Sequence, residues 1–152
     1  MITYCTATSG DLPEVMALLD AAHLPQAGLE EHILNFMLAL DGEKVIGCAG
    51  LEVHQDIGLL RSVAVEPNYR TQGIGAKLTE GIIELARHKN LTSISLLTET
   101  AQDYFHRFGF VQVQRSELPV ALSDSEELRG TCPETAVAMT LHLAYSPKQP
   151  EA

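Results

Sequence analysis

Apolar and polar residues alternate from Ile2 to Ala7, and that period of two predicts a strand. The period then lengthens. Leu12, Val15, Met16 and Leu19 recur at helical spacing, so a helix is expected to about Ala22, with Asp11 as its cap, Pro13 in its first turn and Glu14 closing a capping box. Pro25 and Gly28 interrupt the pattern before a short helical stretch around Leu29 to Leu34. Three strand-like runs follow. Phe36 to Leu40 leads into the turn pair Asp41-Gly42, Lys44 to Val53 is the second run, and Leu59 to Val65 lies beyond a turn at Gln55-Asp56. An antiparallel meander is the simplest arrangement of the three.

The clearest helix is Gly73 to Lys89, with Ile74, Leu78, Ile82, Leu85 and Ala86 along one face. Ser93 to Thr98 reads as a buried strand, Thr100 to Phe108 as a short helix stopped by Gly109, and Phe110 to Arg115 as a strand. Ser123 to Arg129 predicts a short helix ended by Gly130, and Val137 to Leu143 alternates again. Strands and helices interleave without strict alternation, so the expected fold class is α/β of mixed α+β character. One domain is expected over residues 1–145, with a frayed tail at 146–152.

Composition narrows the class. A chain of 152 residues, 45% apolar and 20% charged, fits one soluble globular domain. Apolar runs are only a few residues long, far below the roughly 20 of a membrane span. The first residues lack the basic start and apolar stretch of a secretion signal, so a reduced cytoplasm is the expected location. Cys5, Cys48 and Cys132 are scattered and form no CxxC pair, which argues against a disulfide framework or zinc ribbon. The six histidines are spread along the chain, so no metal site is expected. A net charge of −10 argues against nucleic-acid binding. The charge is uneven, however. Residues 61–115 carry a balance of +2 and the remainder −12, which directs any anionic ligand to the middle third.

That middle third holds the most informative segment. An apolar strand ends at Glu66-Pro67, Arg70-x-x-Gly73-x-Gly75 follows, and the long helix starts at once. Glycines there let backbone N–H groups approach a ligand, and a helix N-terminus adds the positive end of its dipole; together they suit a pyrophosphate. Two other phosphate motifs fail. Gly75 is followed by Ala76 rather than the Lys of a P-loop, and Leu78 stands where a dinucleotide fingerprint needs its third Gly.

The whole string Val-Ala-Val-x-Pro-x-x-Arg-x-x-Gly-x-Gly, from Val63 to Gly75 between strand and helix, resembles the acetyl-CoA-binding core of the GNAT superfamily of N-acetyltransferases. A later strand and a short helix ending Phe108-Gly109-Phe110 extend the resemblance to about Leu143. It implies a central, mostly antiparallel twisted sheet flanked by helices, with acetyl-CoA as co-substrate. It implies that the backbone of Val63, Ala64 and Val65 pairs with the pantetheine arm and polarises the thioester carbonyl. It implies that Arg70 opens the loop and that Thr71, Gln72, Gly73, Ile74, Gly75 and Ala76 cradle the pyrophosphate. A fixed N–H aimed at the carbonyl stabilises the oxyanion, and holding amine and thioester together supplies much of the remaining acceleration.

Two features depart from the family pattern. Many members carry a Tyr four residues before the Gly of "GF", where it protonates the departing thiolate; here that residue is Phe105. Tyr104 lies one residue earlier, about 100° round the helix. It serves in that role only if the helix is rotated, and otherwise packs. Some relatives place a Glu on the strand where Leu59 and Leu60 stand. Glu52, His54 and Glu99 are the alternatives for a general base, and bulk water is a fourth. Arg61 lies mid-strand among apolar residues. Either it pairs with an acid or it reads a substrate carboxylate.

Four local strings, Leu59-Leu60-Arg61-Ser62, Leu97-Thr98-x-Thr100-Ala101, Glu117-Leu118-Pro119 and Cys132-Pro133-x-Thr135-Ala136-Val137, are similar to those of a subgroup of arsenic-resistance-operon and amino-acid N-acetyltransferases. The subgroup in turn is similar to the acetyltransferase domain of N-acetylglutamate synthase. The likeness implies a small amino-acid-like amine as partner, met by Arg61, Ser62, Thr98 and Thr135. Glu99 replaces an Arg of the synthase, which puts glutamate itself in doubt. Cys132 is either near the acceptor pocket or a small buried hydrophobe. The acidic surface keeps a peptide acceptor open, and the missing Tyr and strand carboxylate keep a non-catalytic acyl-CoA binder open. Members of the family are often dimers, so a homodimer stays open too.

Overall fold

The chain was analysed as a computed structural model that describes residues 1–125 and 135–143. Its first half is the expected meander. Strands β1 (Ile2–Thr6), β2 (Phe36–Asp41), β3 (Lys44–His54) and β4 (Ile57–Val65) pair antiparallel in sequence order. Gly42, at φ 65°, makes the tight turn between β2 and β3. Helices α1 (Leu12–Ala21) and α2 (Leu29–His32) fill the connection from β1 to β2.

The second half crosses over. Helix α3 (Ile74–His88) carries the chain from β4 to β5 (Ser93–Thr98), and these two strands are parallel. After α4 (Gln102–His106) the chain adds β6 (Val111–Val113) and β7 (Val137–His142). Among the described residues one seven-stranded sheet results, in the order β1-β2-β3-β4-β5-β7-β6, with β4–β5 its only parallel pair.

Each face of the sheet has its own core. On one side Ile74, Leu78, Ile82 and Ala86 of α3 pack against Ile46, Leu51, Ile94 and Leu96. On the other, Val15, Leu18 and Leu19 of α1 and Leu29 of α2 pack against Phe36, Leu38 and Cys48. The sheet is therefore fixed from both sides, which holds the ends of β4 and β5 in place.

Several elements differ from the sequence pattern, each for a local reason. Asp11 is the N-cap residue of α1, as expected, but its side chain does not cap that helix. Thr8 forms the capping box with Asp11, whose carboxylate accepts from Thr8 N at 2.8 Å, and the single 3₁₀ turn Ser9–Asp11 runs into α1. The strand expected to Arg115 stops at Val113, because Gln114 N donates to Glu117 Oε1 at 2.8 Å and caps a 3₁₀ turn at Arg115–Glu117. Val120–Asp124 is a 3₁₀ turn that Pro119 initiates. The remainder of the helix expected at Ser123 to Arg129, Cys132 and the tail from residue 146 lie outside the described residues.

Strand β4 is also irregular. Gly50 pairs with Arg61 and Cys48 with Ala64, so Ser62 and Val63 together face the single residue Ala49. This β-bulge puts Ser62 at φ 61° and ends the simple alternation that would set Arg61, Val63 and Val65 on one face.

Candidate active site

Strands β4 and β5 share only three residue pairs, Ile57 with Ser93, Gly58 with Ile94 and Leu59 with Ser95. Beyond them the strands part. β5 keeps its full pairing with β7 to Thr98, while β4 keeps its pairing with β3 and bulges at Ser62. A wedge opens between them, and the backbone of Leu60 to Val65 has no strand partner on that side.

A cleft of about 950 Å³ occupies the wedge. Its walls are Leu60 to Val63, Leu96 to Ala101, the α1–α2 loop from His23 to Ala27, and Tyr104 of α4. A second groove of about 690 Å³ runs from Val63, Ala64 and Val65 along Arg70, Thr71, Gly73, Ile74, Gly75 and Ala76. Val63 and Tyr104 line both, so the two spaces meet there.

The groove is built to hold an anion. Gly73, at φ 78°, caps α3, and the first intrahelical bond runs from Lys77 N to Gly73 O. The amides just before Lys77 therefore have no helical acceptor and sit at the positive end of a helix of 15 residues. Arg70 Nε donates to Val65 O at 3.0 Å, which ties the loop to the end of β4. Gly75 faces Tyr104: a Cβ there would come within 3.2 Å of the Tyr104 hydroxyl. Gln72 is exposed and does not line the groove.

Helix α4 is turned so that Phe105 faces inward. Phe105 is buried and meets Phe110 edge-on at 5.9 Å. Tyr104 is half-buried at the meeting point of cleft and groove, with the Arg107 guanidinium 4.7 Å above its ring. Glu99 and Thr98 both line the cleft, and Glu99 is exposed there. Thr135 is exposed, and its neighbour Ala136 supplies the lining instead.

Glu52, His54 and Arg61 lie together, with Glu52 and the Arg61 side chain in the interior. Glu52 is 0% exposed, and neither it nor His54 lines the cleft. Glu52 Oε2 accepts from Arg61 Nη1 at 2.7 Å, and Oε1 lies 2.8 Å from His54 Nε2. Burial works to raise the Glu52 pKa, but hydrogen bonds from His54, Ser125 and Arg61, with His32 nearby, outweigh it and hold the carboxyl below its usual range. A carboxylate so committed is a poor proton acceptor. Arg61 takes the acid-pairing alternative, in the interior rather than at an edge. Its side chain is 0% exposed, Nε donates to Ser62 Oγ at 2.9 Å, and the guanidinium also donates to the carbonyls of Ala27 and Pro25. Those donors are directed at acceptors of the protein itself. They staple the α1–α2 loop, one wall of the cleft, onto the sheet.

His32 of α2 completes this cluster, and no sequence pattern marks it. Its Nε2 stands 3.7 Å from Glu52 Oε1, and its ring centroid 5.5 Å from that of His54. Burial lowers the His32 pKa more than the nearby Glu52 raises it, which favours the neutral ring. The contact depends on how α2 packs on β3, since His32 is twenty residues from Glu52 in sequence.

An anion cradle at a helix N-terminus, opening into a wedge between two parted parallel strands, defines an acyl-CoA N-acyltransferase fold. The chain belongs to the acetyltransferase (GNAT) domain family, whose model matches residues 32–112, more than half its length. The amino-acid acetyltransferase of Mycobacterium tuberculosis is 28% identical over 151 residues, covering 91% of this chain and 83% of that protein. The amino-acid acetyltransferase of Neisseria meningitidis serogroup A is 30% identical over 122 residues, and the match covers 74% of this chain but 28% of that protein. Among solved structures, N-acetylglutamate synthase from Neisseria gonorrhoeae, complexed with coenzyme A and N-acetyl-glutamate, superposes with a TM-score of 0.79 at 25% identity, over 95% of this chain and 36% of that one. The chain thus spans about a third or less of the two Neisseria proteins.

Proposed function

We propose that this chain transfers the acetyl group of acetyl-CoA to the amine of a small amino-acid-like acceptor, by direct attack with both substrates bound. The observation that carries the reading is the junction of groove and cleft at Val63 and Tyr104. The groove suits a pyrophosphate at the α3 N-terminus, and the unpaired edge of β4 suits an extended pantetheine arm. That path delivers the thioester to the junction. The acceptor occupies the cleft between β4, β5 and the α1–α2 loop. Coenzyme A in the Neisseria gonorrhoeae synthase complex supports the choice of co-substrate, and the names of the curated relatives support the choice of acceptor.

The chemistry then assigns itself by position. The amine nitrogen attacks the thioester carbonyl, and a backbone N–H at the β4 bulge stabilises the oxyanion. The C–S bond breaks, and Tyr104 gives its proton to the thiolate, since Phe105 cannot. Glu99 and Thr98 lie at the acceptor end, where Glu99 holds the ammonium or takes its proton, directly or through water. An acid at this position selects for an exposed amine over a second carboxylate. Amine-bearing arsenical analogues of amino acids fall in the same acceptor class, which is how a role in arsenic resistance would arise.

Mass-detected acetyl transfer to a panel of free amino acids, their phosphinic and arsinic analogues and a basic peptide tests the reading. Turnover confined to small amines is the expected result. Turnover on the peptide alone, or coenzyme A binding with no turnover on any amine, would replace it with a peptide acetyltransferase or a non-catalytic binder.

A further inference from the structure

The cluster behind the cleft has a property that the acyl transfer does not use. One ring nitrogen of His32, one of His54 and a Glu52 oxygen converge within 4.8 Å of one another, from α2 and from one face of β3. All three side chains are almost wholly buried, at 10%, 11% and 1% exposure. The two imidazoles aim the same nitrogen at the same carboxylate oxygen, Oε1, at 2.8 and 3.7 Å. A hydrogen-bonded network explains the shorter contact. It does not explain the longer one, which exceeds hydrogen-bond range and leaves His32 Nε2 between Glu52 Oε1 and, at 3.9 Å, the exposed Glu31 carboxylate.

We propose that His32, Glu52 and His54 form a binding site for one divalent transition-metal ion of the zinc class. Zinc takes His nitrogen and carboxylate oxygen at about 2.0–2.2 Å, so tetrahedral ligand atoms lie roughly 3.3–3.5 Å apart. The observed 2.8 and 3.7 Å bracket that spacing, and small side-chain rotations close the difference. The other half of the design is present as well. Glu52 Oε2, the oxygen turned away from the centre, accepts from Arg61 Nη1 at 2.7 Å. A donor on the second oxygen fixes a carboxylate in one-oxygen ligation and offsets part of its charge.

The ion would join α2 to β3. Through Glu52 and Arg61 it would also bear on the carbonyls of Pro25 and Ala27, which form the cleft wall. Metal binding would therefore stiffen the acceptor side of the site and leave the pyrophosphate groove alone.

The test is titration of the chelator-stripped full chain with Zn²⁺ in a calorimeter. It is repeated with Co²⁺, whose visible absorption reports nitrogen and oxygen ligation in a four-coordinate site. One equivalent of metal is expected, with a rise in the thermal midpoint. H32Q and H54Q should each weaken binding at least tenfold, while the exposed His106 changed to Gln should not. Circular dichroism of each variant checks its fold, and the wild-type midpoint with and without Zn²⁺ stands if a variant fails to fold. No saturable binding to the wild type overturns the proposal, as does binding that survives both H32Q and H54Q unchanged. In those cases the trio is a hydrogen-bonded staple only.

Discussion

Arg61 and Glu52 show how a pair of charges can sit in the interior of an acidic protein. Each is matched on nearly every side: Glu52 by Arg61 and His54, Arg61 by Glu52, Ser62 and two loop carbonyls. Removing one partner leaves the other charge buried. Arg61→Ala is expected to lower stability by about 3–5 kcal/mol in urea unfolding, because Glu52 loses its cation. A loss under about 1 kcal/mol would mean that the pair is solvated. The cysteines make a second case. Burial pushes the Cys48 thiol up to about 12, so at pH 8 it stays protonated in the folded protein, whereas Cys5 is exposed. Alkylation followed by peptide mapping should therefore label Cys5 and spare Cys48 until the chain unfolds. Neither state was legible in the sequence. A lone Arg among apolar residues announces an interaction, but only the fold supplies its partner.

At the scale of elements, the sequence was read best where one periodicity governs. Helix α3 and strands β2 to β5 fall within a residue or two of the pattern, since alternation and the 3.6-residue period act over many positions at once. It was read worst where a side chain captures a backbone amide. The Asp11 carboxylate turned back to Thr8 instead of capping α1, and Glu117 ended β6 early, both through local hydrogen bonds. The β4 bulge was also hidden, because nothing in Leu59 to Val65 marks Ser62 for positive φ. Two glycines test these elements. A Cβ at Gly50 would fall 2.3 Å from the Phe36 ring, so Gly50→Ala is expected to destabilise by about 1–3 kcal/mol. Gly73 has open space around it but sits at φ 78°. Gly73→Ala should cost about 1–3 kcal/mol of local strain. It should raise KM for acetyl-CoA several-fold and leave KM for the acceptor nearly unchanged. An equal rise in both would mean that the loop does not serve the cofactor alone.

The whole molecule works by divergence. Seven strands fixed from both faces hold β4 and β5 together for three residue pairs and then let them part. The groove was legible because most of its lining comes from one continuous string, Val63 to Ala76, whose glycines and helix start shape it by themselves. The cleft was not. Its walls come from the α1–α2 loop, β5 and α4, which meet only in the folded chain, and two of the three candidate bases proved to lie away from it. The central claim is that groove and cleft form one path through Val63 and Tyr104. Its most direct test is the affinity of a bisubstrate compound, coenzyme A joined through an acetyl bridge to an amino-acid amine, measured against coenzyme A alone. One continuous path predicts binding tighter by at least about 100-fold, since the second half then binds at high effective concentration. Binding no tighter than coenzyme A itself would contradict it and separate the cleft from the chemistry.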